Sequence, residues 1–402
     1  MKWKEYNLDE LIHIKHGYAF KGEFFSEEPT DDILLTPGNF AIGGGFKAQK
    51  LKYYNGDFPV DYILDENDVI VTMTDLSKEA DTLGFSAKVP AWYGKRFLHN
   101  QRIGLVKLKT DDFDQDYLYW LMRTFSYQRF VANGATGATV KHTSPTKICQ
   151  YKFTAPVDKN IQRKIASILS VYDDLIENNL KRIKLLEEKA FLRYMGIVRE
   201  EKELKKLPLA QLATVTSSKR IFLSDYVEEG IPFYRSKEII AKSNFESIEK
   251  PLYITEERYI DIKEKFGVPI AGDLLVTSVG TIGFVHLVNE DDGDFYFKDG
   301  NLIWIKNLLE RNVAFFLFFK FRTPEFKEML NSVAIGSSQK ALTIETVKKI
   351  EIEIPSDDSL IEFNQETKTI IKFIYNLQKQ NTKLREARNI LLPKLMNRQI
   401  EV

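Results

Sequence analysis

Residues 137–156 read GATVKHTSPTKICQYKFTAP, and residues 336–355 read GSSQKALTIETVKKIEIEIP. Both stretches open on glycine (Gly137, Gly336), place lysine four residues on (Lys141, Lys340) and close on proline (Pro156, Pro355). Apolar residues between them keep one frame, with Ile148, Tyr151 and Phe153 over Val347, Ile350 and Ile352. The offset of 199 holds from Ile103 over Leu302 to Pro156 over Pro355. Upstream, DVIVTMTDLSKEADTLGFSAKV (68–89) matches DLLVTSVGTIGFVHLV (273–288) at an offset of 205, and YNLDELIHI (6–14) lies over LPLAQLATV (207–215) at 201. Offsets that change inside a shared frame mean insertions and deletions, which loops tolerate. The chain is an internal repeat of one design.

A long helical segment follows each closing proline. In the second copy Phe363, Thr367, Ile370, Ile374, Leu377, Asn381, Leu384, Arg388, Leu391 and Leu395 recur at alternating steps of four and three, the spacing of a coiled-coil seam. In the first copy Leu169, Tyr172, Ile176, Leu180, Ile183, Leu186, Ala190 and Tyr194 recur at a mean near the helical 3.6. Each segment suits a helix of about 40 residues, roughly 60 Å long. A lone helix cannot bury its own stripe, so the spacing predicts that the two pair. Asn381 then either fixes register inside the seam or stands exposed on the surface.

The blocks themselves read as mixed α/β. Runs such as DVIVTM, IGLVKLK and YKFTAP alternate with turns at Pro37-Gly38, Asn55-Gly56 and Asp292-Gly293. One amphipathic helix is expected in each block, near 115–131 and 310–330. The expected fold class is α+β, with blocks at 1–157 and 204–355 and helices at 158–203 and 356–402. Antiparallel pairing of the helices as a coiled coil would relate the two blocks by a pseudo-twofold axis.

Composition excludes several classes. An apolar fraction of 44% with 28% charged residues is ordinary for a soluble globular chain. The single cysteine, Cys149, excludes an internal disulfide and suits a reducing compartment. MKWKEYNLDE lacks the pattern of a signal peptide, and VAFFLFFKF (313–321) is too short to span a bilayer. These features place the protein in the cytoplasm, away from membranes. Net charge is zero, but residues 1–158 hold 19 Lys+Arg against 21 Asp+Glu, and 207–355 hold 18 against 22. The helical segments 159–206 and 356–402 are basic, with 12 against 8 and 8 against 6. Neither block carries the basic footprint of a free-standing DNA binder. Any DNA reading must rest on local faces, or on a partner that supplies phosphate contacts.

Catalytic and metal motifs are missing. No Pro-Pro pair exists to build a base-clamping methyltransferase motif, and no Walker or nucleophile-elbow spacing occurs. AIGGGFKA (41–48) has no dinucleotide-loop spacing and reads as a flexible loop. His13 and His16 stand three apart without a third ligand, so no metal site is expected. EDDGD (290–294) lacks the frame of a calcium loop and reads as a solvated hairpin turn.

VTMTDLSKEADTLG (71–84), IPFYRSKEI (231–239), GDLLVTSVGTIGFV (272–285) and GSSQKALTIETVKKIEIEIP occur in order, within the repeat. LLPKLMNRQI (391–400) closes the second helix and is echoed by AFLRYMGI (190–197) in the first. With these segments the chain resembles, over essentially its full length, the specificity (S) subunit of type I restriction–modification enzymes. The resemblance implies a non-catalytic subunit whose blocks are two target-recognition domains, each reading one half of a split, asymmetric DNA sequence. It implies that the conserved helices fix the unread spacer and dock two methyltransferase (M) subunits. Those subunits would bring S-adenosylmethionine and adenine-N6 chemistry, with no cofactor in this chain; motor-nuclease (R) subunits, two per complex, join where the complex also cleaves.

The DNA-contacting candidates lie on glycine-bounded loops and strand ends. They are Lys141, His142 and Thr143 after the turn at 134–137, and Ser338, Gln339 and Lys340 after Gly336. Lys78 in DLSKEAD, Arg102 in HNQRIG, and Arg235, Ser236 and Lys237 in FYRSKE complete the set. Amide, hydroxyl and cationic groups on such loops reach base edges and phosphates. Tyr18 and Phe20 either stack on a distorted base step or pack as core aromatics. Leu169, Tyr172, Ile176, Ile183, Ile370, Ile374, Leu377, Leu384 and Leu391 are the residues expected to pair the helices and dock partners. The competing reading is a two-headed protein-binding scaffold without sequence-specific DNA binding.

Overall fold

The computed structural model describes every residue except 1, 50, 76, 78, 79, 202, 245, 247, 249, 250, 309–311 and 337–338. Two of the candidates, Lys78 and Ser338, therefore lie outside the described residues. The chain divides into two compact units, Met1–Leu175 with Leu384–Val402, and Ile176–Lys383.

In the first unit, strand Trp3–Asn7 pairs antiparallel with Lys152–Pro156, so the first and last strands of the block close on each other. The Asn7 side chain caps a one-turn helix, Leu8–Leu11, and the Leu8 amide donates to the Tyr151 carbonyl at 3.0 Å. A four-stranded antiparallel sheet follows in the order Ile12–His16, Ile103–Leu108, Val69–Thr72, Ser86–Lys88. Val69–Thr72 is buried along its whole length, which is why its sequence is continuously apolar up to Thr72 instead of alternating. A second sheet runs Phe25–Ser26, Lys52–Tyr54, Asp32–Leu34, Arg96–Leu98, Ile63–Leu64, with Arg96–Leu98 parallel to Asp32–Leu34. Tyr18 and Phe20 pack edge-on against each other, and Phe20 is buried in the cluster with Leu34, Tyr54 and Leu98.

The second unit repeats this plan. Lys205–Pro208 pairs with Glu351–Ile354, and the short helix Leu209–Leu212 sends its first amide to the Ile350 carbonyl at 2.9 Å. Its four-stranded sheet runs Thr214–Thr216, Leu302–Lys306, Leu274–Thr277, Val285–Leu287. The other sheet runs Tyr226–Val227, Leu252–Ile254, Ile231–Tyr234, Tyr296–Phe297, and its last pair is parallel like Asp32–Leu34 with Arg96–Leu98. Helices Ser236–Ser243 and Glu256–Phe266 stand where the first unit has 3-10 turns, Pro37–Asn39 and Val60–Tyr62.

The single helix expected in each block is two. Gln115–Leu121 and Phe125–Asn133 form the first pair, Ala314–Arg322 and Pro324–Val333 the second. The breaks fall at Thr124 and Thr323, 199 apart, whose hydroxyls accept from the Tyr127 and Phe326 amides. A capping threonine starts a new helix even where the apolar pattern runs on. Among the described residues, no helix is long and apolar enough to cross a membrane.

The two long helices are Lys159–Glu200, 42 residues, and Asp357–Met396, 40 residues. In the second unit they run antiparallel: Asn179 bonds Asn381, Arg193 bonds Glu366 and Glu362, and Glu201 bonds Ser359. In the first unit Asp173 meets Arg388, and Ile165 and Leu169 share a core with Leu392 and Leu395. Of the expected seam residues, Leu169, Ile176, Ile183, Ile374 and Leu377 are buried, while Tyr172, Ile370, Leu384 and Leu391 are half-buried. Leu180 departs from expectation, being 46% exposed, because Asn179 occupies the seam between Ile176 and Ile183.

Candidate nucleic-acid interface

In each unit three chain segments meet where the two inner strands of the four-stranded sheet end. The first is the hairpin closed by Thr136 and His142 in the first unit and by Ile335 and Ala341 in the second. In the first unit the Thr136 and His142 backbones exchange hydrogen bonds of 2.9 and 2.8 Å; in the second, Ile335 and Ala341 do so at 2.9 and 2.8 Å. The second segment leaves the central strand: the Met73 carbonyl accepts from the Thr143 amide at 3.0 Å, as Ser278 does from Leu342 at 2.8 Å. The third is the turn entering the last strand of the block's sheet, where the Arg102 carbonyl accepts from Met73 and the Asn301 carbonyl from Ser278, both at 2.9 Å. These are homologous bonds, offset by 199 or 205 throughout. Ser144 and Thr343 then cap the short helices Pro145–Cys149 and Ile344–Lys348.

The glycines make the hairpins possible. Gly137 has φ +97° and Gly336 φ +116°, and a Cβ would lie 2.0 Å from the Val140 carbonyl oxygen or 2.5 Å from that of Gln339. Gly137→Ala and Gly336→Ala are each expected to cost about 1–3 kcal/mol in chemical denaturation. A change below about 0.5 kcal/mol would show that the hairpin yields without strain.

The candidates gather unevenly. Lys141 pairs in register with Asp75, and His142 is exposed with Nδ1 3.2 Å from Thr74 Oγ1. Thr143 is half-buried, Arg102 exposed, and all four belong to the first junction. Gln339 and Lys340 are exposed at the second, with Lys340 Nζ donating to the Asn331 carbonyl at 3.3 Å. Ser236 reaches this junction through its hydroxyl, 3.4 Å from the Asn301 carbonyl, and Lys237 is exposed beside it. Arg235 is occupied: its Nε and Nη2 donate to Glu238 at 3.3 and 2.8 Å. Those bonds raise the pKa of its guanidinium further.

Sequence reasoning missed two members. Asp75 is buried and its carboxylate accepts from Ser77 N, Thr82 N and Thr82 Oγ1 at 2.7, 2.7 and 2.6 Å, tying Ser77 and Thr82 to the strand end. Burial opposes its ionisation, yet these bonds hold its carboxyl below the usual range. Asn301 is the other, and the repeat itself points to it, 199 residues after Arg102.

Two loops differ from expectation. AIGGGFKA is a fixed wrap around Arg123: Gly43, Gly44 and Gly45 all have positive φ, and Arg123 Nε donates to the Gly43 carbonyl at 3.0 Å. In EDDGD, Asp292 is an internal anchor with a nearly buried side chain, not part of a solvated turn. It accepts from His286 Nε2 and Asn289 Nδ2 at 2.9 Å each and from Lys242 Nζ at 2.5 Å. Burial opposes its charge, but His286 and Lys242 hold the carboxyl well below the usual range. Among the described residues, no cluster of His, Cys, Asp and Glu could hold a metal ion.

The family model described as "Type I restriction modification DNA specificity domain" matches residues 1–188 and again 201–394. The chain belongs to this family. A putative type I restriction enzyme specificity subunit of Haemophilus influenzae is 23% identical over 88% of this chain and 83% of its own length. The type I restriction enzyme EcoBI specificity subunit of Escherichia coli is 22% identical over 96% of this chain and 83% of its own. The crystal structure of a type I restriction-modification S subunit from M. genitalium aligns with TM-score 0.58 at 16% identity, covering 98% of this chain and 96% of that one. That likeness establishes the shared fold: two mixed α/β domains and two long helices.

Within this specificity-domain chain the helical pair carries a buried polar contact. Asn179 Nδ2 donates to Asn381 Oδ1 at 2.9 Å, with both residues buried, so Asn381 belongs to the seam. Replacing Asn381 alone by Leu strands the Asn179 amide and should cost about 1–3 kcal/mol. Replacing both by Leu should restore most of that loss, because no orphaned amide remains. A double-mutant cycle in urea measures the coupling, and additive losses would contradict it. Apolar side chains also remain outside the seam: Val171 and Leu175 in the first unit, and Leu185, Leu192 and Phe373 in the second, are exposed.

Proposed function

We propose that this chain is the non-catalytic sequence-reading subunit of a type I restriction–modification complex, taking one half-site of a bipartite, asymmetric DNA sequence at each unit. The observation that carries this reading is the same three-segment junction, built twice in a chain whose two halves each match the specificity domain. Lys141, His142, Thr143 and Arg102 face one half-site; Ser236, Lys237, Gln339 and Lys340 face the other, and Lys78 and Ser338 remain candidates from the sequence. The exposed apolar residues on the helices support docking of two methyltransferase subunits, which bind S-adenosylmethionine and perform the adenine-N6 chemistry. Two motor-nuclease subunits join where DNA is cleaved, and the complex works in the cytoplasm.

The near-neutral blocks make the chain alone a weak, salt-sensitive DNA binder, strengthened by the phosphate grip of its partners. The test is methylation mapping of a random DNA library by this chain with its methyltransferase subunit. One bipartite motif is expected. Sequence-independent methylation, or none, would leave the protein-binding scaffold as the better account. A second outcome concerns the helices: inserting one heptad into both should lengthen the unread spacer and leave the half-sites unchanged. Changed half-sites with a fixed spacer would refute a ruler role.

A further inference from the structure

The two junctions share a backbone but not their side chains, and the difference has a chemical direction. Lys141 and Lys340 occupy the same place, so they contribute equally at both ends and discriminate nothing. A lysine at a constant position suits a phosphate, which is the same at every step of DNA. Positions that differ include three whose side chains flank the junction: Arg102 against Asn301, His142 against Ala341, and Thr74 against Val279.

Of these, only one pair is polar at both ends. Arg102 is exposed and Asn301 half-exposed, and each presents its backbone carbonyl to the neighbouring strand in the same hydrogen bond. The equivalent bonds set both residues at the same point of their junctions. Among the described residues, neither side chain has a hydrogen-bond partner, whereas the Arg235 guanidinium is taken up by Glu238. A free guanidinium fork matches the two acceptors of guanine, O6 and N7; a free carboxamide matches the N6 donor and N7 acceptor of adenine. The surroundings agree with the assignment. Val279 and Ala341 give the second junction an apolar rim suited to a thymine methyl, while His142 hydrogen-bonded to Thr74 makes the first polar.

We infer that Arg102 and Asn301 are paired base-reading residues, Arg102 selecting a guanine in one half-site and Asn301 an adenine in the other. This rests on the DNA-reading role proposed above and adds to it a residue and a base for each half. Arg102 becomes the discriminating group of its unit, and Lys141 and Lys340 the sequence-blind ones.

The experiment maps methylation by the assembled complex carrying Arg102→Asn, Asn301→Arg or Arg102→Lys. The parent complex is expected to show guanine at one position of one half-site and adenine at one position of the other. Arg102→Asn should lower methylation of the parent guanine site about tenfold to a hundredfold and shift that one position toward adenine. Asn301→Arg should do the converse in the other half alone. Arg102→Lys keeps the charge and loses the fork, so it should relax the position without weakening the rest of the motif. Thermal melts should match the parent, since both side chains are free of internal bonds. If the parent motif is bipartite but all three variants keep it at parental levels, or alter both halves together, the pairing is wrong while the DNA-reading role stands. A parent complex with no bipartite motif overturns that role itself, and the inference with it.

Discussion

Asp173→Ala is expected to destabilise the first unit by about 3 kcal/mol, the lower end of the 3–5 kcal/mol typical of a broken buried ion pair. Asp173 joins two arginines: Oδ2 lies 2.5 Å from Arg123 Nη1, and Oδ1 bonds Arg388. The Arg123 side chain is 1% exposed, stacked 4.4 Å over the Trp120 ring and hydrogen-bonded at 2.6 Å to Tyr119 OH. Removing the carboxylate leaves two guanidinium groups sharing a site with no anion between them. The figure sits at the lower end because Asp173 keeps some solvent contact. Arg388→Met should be milder, about 1 kcal/mol, since it leaves the Arg123–Asp173 pair intact. Urea denaturation checks both, and an Asp173→Ala variant within about 0.5 kcal/mol of the parent would show that the triad is energetically idle. Arg322, 199 residues beyond Arg123, repeats the device by bonding Glu187 of the first helix. In both units an arginine at the same place in the block, buried in the first and half-buried in the second, grips an acid on the same helix.

That arginine pair was not visible in the sequence, although the repeat was. Offsets of 199, 201 and 205 carried over directly into matching hydrogen bonds, because a shared backbone needs the same glycine and apolar positions. Side-chain pairing across elements leaves no such periodic trace. Arg123 and Asp173 are 50 residues apart, and nothing local marks Arg123 as buried or Asp173 as its partner. The seam shows the same limit: Leu180 fits a mean helical spacing, yet strict three-four steps from Ile176 place Asn179 inward. The split at Thr124 and Thr323 was hidden for the opposite reason, since a one-residue cap leaves the apolar pattern on both sides undisturbed. Asp292 looked solvated in EDDGD because its cation, Lys242, lies 50 residues upstream. Of the proposed DNA-contacting residues, Lys141 and Lys340 were legible from the glycine frame. Asn301 was not, having no charge to attract notice.

Acidification from pH 6.5 to 4 is expected to remove about 3 kcal/mol of stability through His99 alone. His99 is 0% exposed, its Nε2–H donates to the Ile103 carbonyl at 2.8 Å, and among the described residues its Nδ1 has no partner. A proton on Nδ1 would be a buried cation with an unsatisfied N–H. Burial pushes its pKa down to about 4; the bond to Ile103 and the charge of Asp68 oppose this, while Lys15 and His16 add to it. The unfolded chain takes up its proton near 6.5. Stability is therefore full above that pH and falls as the unfolded state protonates first, with the loss complete below about 4. His286 in the second unit is shifted in the same direction, so the measurement must be a difference between variants. His99→Gln keeps a donor for Ile103 and cannot charge, and its stability should be flatter across this window. The second unit carries Lys298 at the corresponding place, so the effect belongs to one half of the molecule. Hydrogen-exchange protection at residues 99–103, corrected for the intrinsic rate at each pH, should fall below pH 6 in the parent and not in His99→Gln. An equal fall in both would assign the acid loss elsewhere. Because this turn carries Arg102, the base-reading residue proposed above, that proposal predicts that the parent complex loses fidelity at one half-site before the other as pH falls.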